Sequence, residues 1–180
     1  MTSWSQAARH NRVPLGFVLA AVYLWRAHPT WQSLALGGIL ILPGLGLRAL
    51  ASGHLRKNVE VTASGPYAYV RNPLYLGSLI LASGFTVAAR DWWVAGAMLA
   101  FFLGVYLPVI LSEEAWLRAN FPEFEEYARR VPRLWPRFGQ EGAAPGSFSR
   151  ELYLQHREYN AVLGAVAMLA ALVVKLLRSW

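Results

Sequence analysis

Arg71, Asn72 and Tyr75 lie close together in the segment GPYAYVRNPLYLG (Gly65–Gly77), and Glu113 and Glu114 stand side by side at the far end of the apolar stretch that follows. A guanidinium, a carboxamide, a phenol and two carboxylates can together hold a molecule with an anionic end, a cationic end and hydroxyl groups. Asn72 before Pro73 is a helix-start pattern: Asn accepts from free backbone amides, and Pro fits the first helical position because it has no amide to leave unpaired. That helix start, beside Arg71, is a natural seat for a carboxylate or phosphate. Glu113 and Glu114, read as the C-terminal end of a membrane helix, would meet the negative end of the helix dipole and repel each other. They call for a cation, either Arg118 one turn after Glu114 or a positively charged ligand. Glu114, Arg71 and Arg118 are therefore the expected catalytic side chains.

The two clusters can act together only if the intervening chain folds back on itself. The sequence is 56% hydrophobic over 180 residues and contains eight Trp, which is more apolar than a soluble domain of this size. Five apolar stretches are legible, at about 13–25, 31–51, 73–89, 92–111 and 159–177. About 20 helical residues cross a hydrocarbon core, so the second, fourth and fifth are full spans, and the first and third need interfacial residues to complete them. The expected fold is all-α: a polytopic membrane helix bundle with about five transmembrane helices and a cytoplasmic helical segment between the fourth and fifth. The chain reads as one domain over 1–180. The first stretch ends in Tyr23-Leu24-Trp25-Arg26 rather than in small residues suited to cleavage, so it reads as an anchor and not a signal peptide.

If the spans alternate, Arg26, Arg90, Lys175 and Arg178 fall on one side of the membrane, and all the other Lys and Arg residues, from Arg9 to Arg157, fall on the opposite one. The formal charge of +7 is thus a topology signal that puts the polar segments at about 52–72 and 113–158 in the cytoplasm. It gives no reason to expect nucleic acid; the expected partners are membrane lipids and a lipophilic small-molecule or lipid substrate. Cysteine is absent, which excludes disulfides, a thiolate nucleophile and thiolate metal ligands; no metal site is expected. Trp116, Leu117, Phe121, Phe124 and Tyr127 recur at helical spacing, a stripe that could lie in the headgroup layer or cap a cavity. Residues 140–149 read as a linker. Gly37, Gly38, Gly44 and Gly46 would let the second span pack closely, within the chain or between chains.

The converging groups match the needs of S-adenosylmethionine, whose carboxylate, ammonium, sulfonium and ribose each find a partner, with Tyr67, Tyr69 and Tyr75 offering faces for adenine or the sulfonium. GPYAYVRNPLYLG, a hairpin, and then EEAWLRANFPEFEEYARRVPRLWP (Glu113–Pro136) resembles the isoprenylcysteine carboxyl methyltransferase and phospholipid methyltransferase families over about residues 45–137. The resemblance implies cofactor contacts at Val59, Glu60, Val61, Thr62, Tyr67, Asn72, Pro73, Leu74, Tyr75 and Glu113, and a cofactor-binding region of about 52–137. Two departures accompany it. Asn72 stands where those families have His, and Val109 stands where prenylcysteine enzymes have an Arg for the substrate carboxylate. Arg157, Arg118 or Arg71 could supply that charge.

An isoprenylcysteine-like carboxylate acceptor needs no general base; a lipid amine or thiol would need one, for which Glu114, His54 and His156 are the candidates. The acceptor is expected to enter sideways from the bilayer, with His54, Val109, Arg157, Glu158 and Tyr159 forming its side of the pocket. Two other classes remain open: an NADPH-dependent reductase, because membrane sterol reductases resemble the same turn, hairpin and acid pattern, and a non-catalytic lipid-binding protein.

Overall fold

The computed structural model describes residues 3–57, 59–137 and 146–178, and for residues 3–13 the backbone alone. Most of the expected linker at 140–149 therefore lies outside the described residues, as do Asn58 and the side chains of Arg9 and Arg12. The fold is all-helical: α1 Ser3–Arg26, α2 Trp31–His54, α3 Pro73–Ala89, α4 Trp92–Asn120, α5 Phe124–Arg130, α6 Arg150–Gln155 and α7 Tyr159–Arg178. By length and composition α2, α4 and α7 are long and apolar enough to cross a membrane, and Pro14–Arg26 and α3 are shorter apolar helices. Phe17, Leu36, Ile39, Leu42, Leu99 and Leu163 are exposed as a lipid-facing surface requires. Trp25, Trp31, Trp92 and Trp93 are exposed around one end, as interfacial anchors are.

That end is closed by local chemistry. Thr30 and Ser33 form a reciprocal capping box at the start of α2, which satisfies two free amides. Arg90 takes a left-handed conformation at the end of α3, and Asp91 caps α4 through Val94 N at 3.0 Å. The Asp91 carboxyl is held below its ordinary value, first by the Val94 amide and then by Arg26, which pairs with it at 2.8 Å. Lys175 near the end of α7 donates to the carbonyls of Leu24 and Trp25. The starts of α3 and α7 and the ends of α2 and α4 consequently share the opposite end of the bundle.

α2 and α3 form the tightest pair. A Cβ on Gly37 would come within 2.6 Å of the Gly84 carbonyl oxygen, and one on Gly44 within 2.8 Å of Leu81 N, whereas Gly38 and Gly46 face open space. The small residues thus serve packing within the chain at two of the four expected positions. Gly84→Ala, whose Cβ would meet the Gly37 carbonyl at 2.7 Å, is expected to cost about 1–3 kcal/mol through overpacking. Gly46→Ala should change stability by no more than about 0.5 kcal/mol. Thermal unfolding in detergent checks this; equal melting of the two variants would mean that the helices do not meet as described.

α4 departs from expectation in a way that matters for the site. Its helix does not stop at residue 111 but runs to Asn120, so Glu113 and Glu114 sit inside it rather than at its end. Nothing between Ser112 and Arg118 breaks a helix; the stop comes at Phe121, which is extended because it precedes Pro122. The expected repulsion from a helix terminus therefore falls away. Within α4, Phe102–Tyr106 widens into a π-helical turn. Pro108 explains it, because proline has no amide to return to residue 104 and its ring crowds that carbonyl. Val105, Val109 and Glu113 then line the same cavity.

Candidate active site

At the end of the bundle opposite the Trp-rich one lies a cavity of about 1050 Å³, large enough for a cofactor with part of a second ligand. One wall is the turn at Gly65–Ala68, entered through Gly65 with φ +55°. A Cβ there would be strained and would strike the His54 ring at 2.6 Å. The turn is braced from α5 and the segment after it: Tyr127 Oη donates to the Tyr67 carbonyl at 2.8 Å, Arg71 N to the Pro132 carbonyl at 2.8 Å and Arg137 N to the Tyr69 carbonyl at 3.0 Å. Phe124, Tyr127 and Val131 pack with Val61, Leu117 and Phe121, so the expected aromatic stripe caps the cavity rather than floating in the headgroup layer. Burial pushes the Tyr67 phenol well up, with Tyr127 adding to it, and burial raises Tyr127 likewise. Both phenols stay protonated at neutral pH.

The second wall is organised by Glu114, which is nearly fully buried. Its Oε1 accepts from Asn72 Nδ2 at 2.9 Å, Arg133 Nε reaches both carboxylate oxygens at 3.1 Å, and Arg133 Nη2 donates to Oε2 at 2.9 Å. Arg71 Nη1 lies 3.6 Å from Oε2. The hydrogen bond to Glu114 raises the Arg133 guanidinium further above its ordinary value, so it is cationic throughout. Asn72 is the N-cap of α3 by position, but its side chain does not cap. It donates to Glu114 and to the Arg133 carbonyl, because a buried carboxylate is a stronger claim on its Nδ2 and Pro73 has already removed one needy amide. The Arg71 side chain is 10% exposed, and its Nε is buried with no partner among the described residues.

Along the third wall Tyr75 Oη donates to Glu113 Oε2 at 3.0 Å. The Tyr106 ring meets Tyr75 edge-on at 5.6 Å, and Val105 and Val109 continue this face. The fourth wall is ionic. Arg48 Nε lies 2.5 Å from Glu158 Oε1, and Arg48 Nη1 donates to Ser78 Oγ and, at 3.4 Å, to the Leu74 carbonyl. Gly77 makes room for it, since a Cβ there would meet Arg48 Cγ at 2.6 Å. Arg157 takes φ +52° just before α7, a conformation that costs a non-glycine residue about 1–2 kcal/mol and turns Glu158 inward.

Of the residues expected from sequence, Glu60, Val61, Thr62, Tyr67, Arg71, Asn72, Pro73, Leu74, Tyr75, Val109, Glu113, Glu114, Arg157 and Glu158 line this one cavity. Arg118 does not: it turns to Glu125 at 3.1 Å and lies over the Phe124 ring. His54 is also outside, its Nδ1 2.8 Å from the Leu50 carbonyl and its ring beside Phe148. Val59 and Tyr159 are exposed and do not line the cavity, and Tyr69 contributes its carbonyl to Arg137. Arg48, Ser78, Tyr106, Tyr127 and Arg133 were not singled out as site residues from the sequence. Two of them carried a signal, Arg48 as an ionisable residue inside an apolar span and Tyr127 as part of the aromatic stripe. Among the described residues no three His, Cys, Asp or Glu side chains gather to hold a metal ion.

The family model described as phospholipid methyltransferase matches residues 15–123. A cobalt-zinc-cadmium resistance protein of Cupriavidus metallidurans is 34% identical over 135 residues, which is 70% of this chain and 62% of that protein's length. A nickel-cobalt-cadmium resistance protein of Alcaligenes xylosoxydans xylosoxydans is 33% identical over 156 residues, covering 78% of this chain and 72% of that protein. No solved structure matches.

Proposed function

Because the chain belongs to the phospholipid methyltransferase family, we propose that it transfers a methyl group from S-adenosylmethionine to a lipophilic acceptor entering from the bilayer. The observation that carries this reading is the meeting of Arg71 and Glu113 in one cavity from the two ends of the α3–α4 hairpin. The buried Arg71 Nε, without a partner among the described residues, suits an anionic group. Glu113, held only by the neutral Tyr75 phenol in the bonds described, suits an ammonium or hydroxyl groups. The residues present therefore fit the cofactor, whose sulfonium supplies an activated methyl group when it is bound.

The chain's own task is to align and to exclude water. Tyr67 stays neutral and offers a face and a donor, never a base. Glu114 acts as a positioning residue: it holds Arg71, Asn72 and Arg133 together and is too heavily paired to take a proton from an acceptor. A carboxylate acceptor would need no base; for an amine or thiol, His156 is the expected candidate that lines the cavity outside an ion pair. The arginine-rich end of the bundle carries the site, which supports a cytoplasmic orientation. The metal resistance named for the two relatives enters only as a setting in which methylation of a membrane constituent could act.

Calorimetric titration of the purified protein in detergent with S-adenosylhomocysteine and with NADPH tests the reading. Binding of the first alone is expected. Binding of NADPH alone would make the protein a reductase, and binding of neither would favour a lipid-binding role.

A further inference from the structure

Among the described residues three ion pairs line the cavity, and two of them, Arg56–Glu60 and Arg71–Glu114, flank the turn that the cofactor would occupy. We infer that the third, Arg48–Glu158, is the acceptor's headgroup site: Arg48 binds an anionic group on the lipophilic acceptor, and Glu158 is a resident counter-ion that this group displaces. The inference deepens the methyltransferase reading and rests on it.

Position comes first. Arg48 lies within the apolar helix α2, where an unneeded charge is costly, and its guanidinium opens on the cavity beside Leu74 and Ser78. Leu74 adjoins Tyr75, which is bonded to Glu113, so the pair borders the proposed cofactor contacts and touches them through the Leu74 carbonyl. The sign of the site follows from its neighbours. The cations that line the cavity outnumber its acids by one, and one of them, Arg157, is the chain neighbour of Glu158. An entering anion therefore meets an excess of positive charge.

Exchange is built into the geometry. Glu158 reaches Arg48 from the turn before α7, where Arg157 is left-handed, and not from a helix interior. Among the described residues its side chain has one hydrogen bond, Oε1 accepting from Arg48 Nε. Exchanging one carboxylate-like partner for another leaves the guanidinium paired throughout, and the displaced Glu158, on a turn and next to Arg157, is the charge that must move to water or to that cation. Of the arginines that could serve an anionic acceptor, Arg118 is outside the cavity and Arg71 is committed to Glu114 and the cofactor side.

The test measures binding of dodecanoate, dodecyl phosphate and dodecylamine to the purified full chain in non-ionic detergent, for the wild type, Arg48→Met, Arg48→Lys and Glu158→Gln. S-adenosylhomocysteine affinity is measured in parallel. Arg48→Met should weaken both anionic ligands at least about tenfold, Arg48→Lys should weaken them less, and Glu158→Gln should strengthen them severalfold. Dodecylamine should not respond to Arg48→Met, and S-adenosylhomocysteine affinity should stay within about twofold in all variants. Should Arg48→Met fail to fold, the lysine and glutamine variants decide. Anionic binding indifferent to Arg48 overturns the inference, as does an amine that binds tighter and is lost in Glu158→Gln. Weakening of the anions by Glu158→Gln would make the pair merely structural. Failure of the wild type to bind S-adenosylhomocysteine would instead overturn the methyltransferase reading, and is scored separately.

Discussion

Replacing Glu114 with alanine is expected to destabilise the protein by about 3–5 kcal/mol, the cost of leaving a buried cation without its counter-charge. The Glu114 side chain is 3% exposed and that of Arg71 10%, so Arg71 would bear most of this loss; Arg133, at 37%, can turn to water. Asn72 Nδ2 would lose one of its two acceptors as well. The measurement is thermal unfolding in detergent together with the yield of monodisperse protein. A conservative Glu114→Gln keeps an acceptor for Asn72 and should fall between the wild type and alanine. Removing both charges, as Arg71→Met with Glu114→Met, should recover part of the melting temperature, because a well-packed apolar pair avoids the desolvation of two ions. It should not recover activity, since Arg71 would be gone. If Glu114→Gln melts like the wild type yet turns over no acceptor, the carboxylate is a proton acceptor and not a positioning residue.

The sequence made the hairpin legible for a physical reason. Two successive apolar stretches, one short and one of full membrane length, with only Arg90 and Asp91 between them have little choice but to return to the same side, and this brings Asn72 to Glu114 and Tyr75 to Glu113. The same argument left the end of α4 open, because a hydrocarbon boundary does not end a helix; a backbone signal does, and here it is Pro122. Placing the helix end at residue 111 made the acids look exposed to a dipole. Arg118 follows Glu114 by one helical turn, but Glu114 is already held by Asn72, Arg71 and Arg133, and Arg118 turns to Glu125 of α5. The true partner, Arg133, arrives from a bent, irregular segment after α5 whose backbone bonds to Tyr69 and Arg71. No local periodicity announces such a pairing. Arg48 was visible as a charge within an apolar span, but counting it toward topology hid its second meaning; only the bundle shows Gly77 clearing space for it and Glu158 facing it.

Glu113 should behave in the opposite way to its neighbour. Its carboxylate is half-buried and faces the cavity, and its recorded partner is the neutral Tyr75 hydroxyl, so removing it strands no buried charge. Glu113→Ala is therefore expected to melt close to the wild type while losing about ten- to a hundredfold in S-adenosylhomocysteine affinity, the worth of one charge-assisted contact. Tyr75→Phe removes only the group that orients the carboxylate, and should cost a few-fold in affinity. Calorimetric titration of the two variants beside the wild type reads both effects, and their order is the informative part. A Tyr75→Phe loss larger than that of Glu113→Ala would mean that the ring, and not the acid, meets the ligand. Full affinity in Glu113→Ala would remove the cofactor from this wall altogether. The contrast between adjacent acids, one failing in stability and the other in binding, follows from the helix itself: consecutive residues point about 100° apart, so α4 presents Glu114 to the arginines behind the turn and Glu113 to the space beside Tyr75.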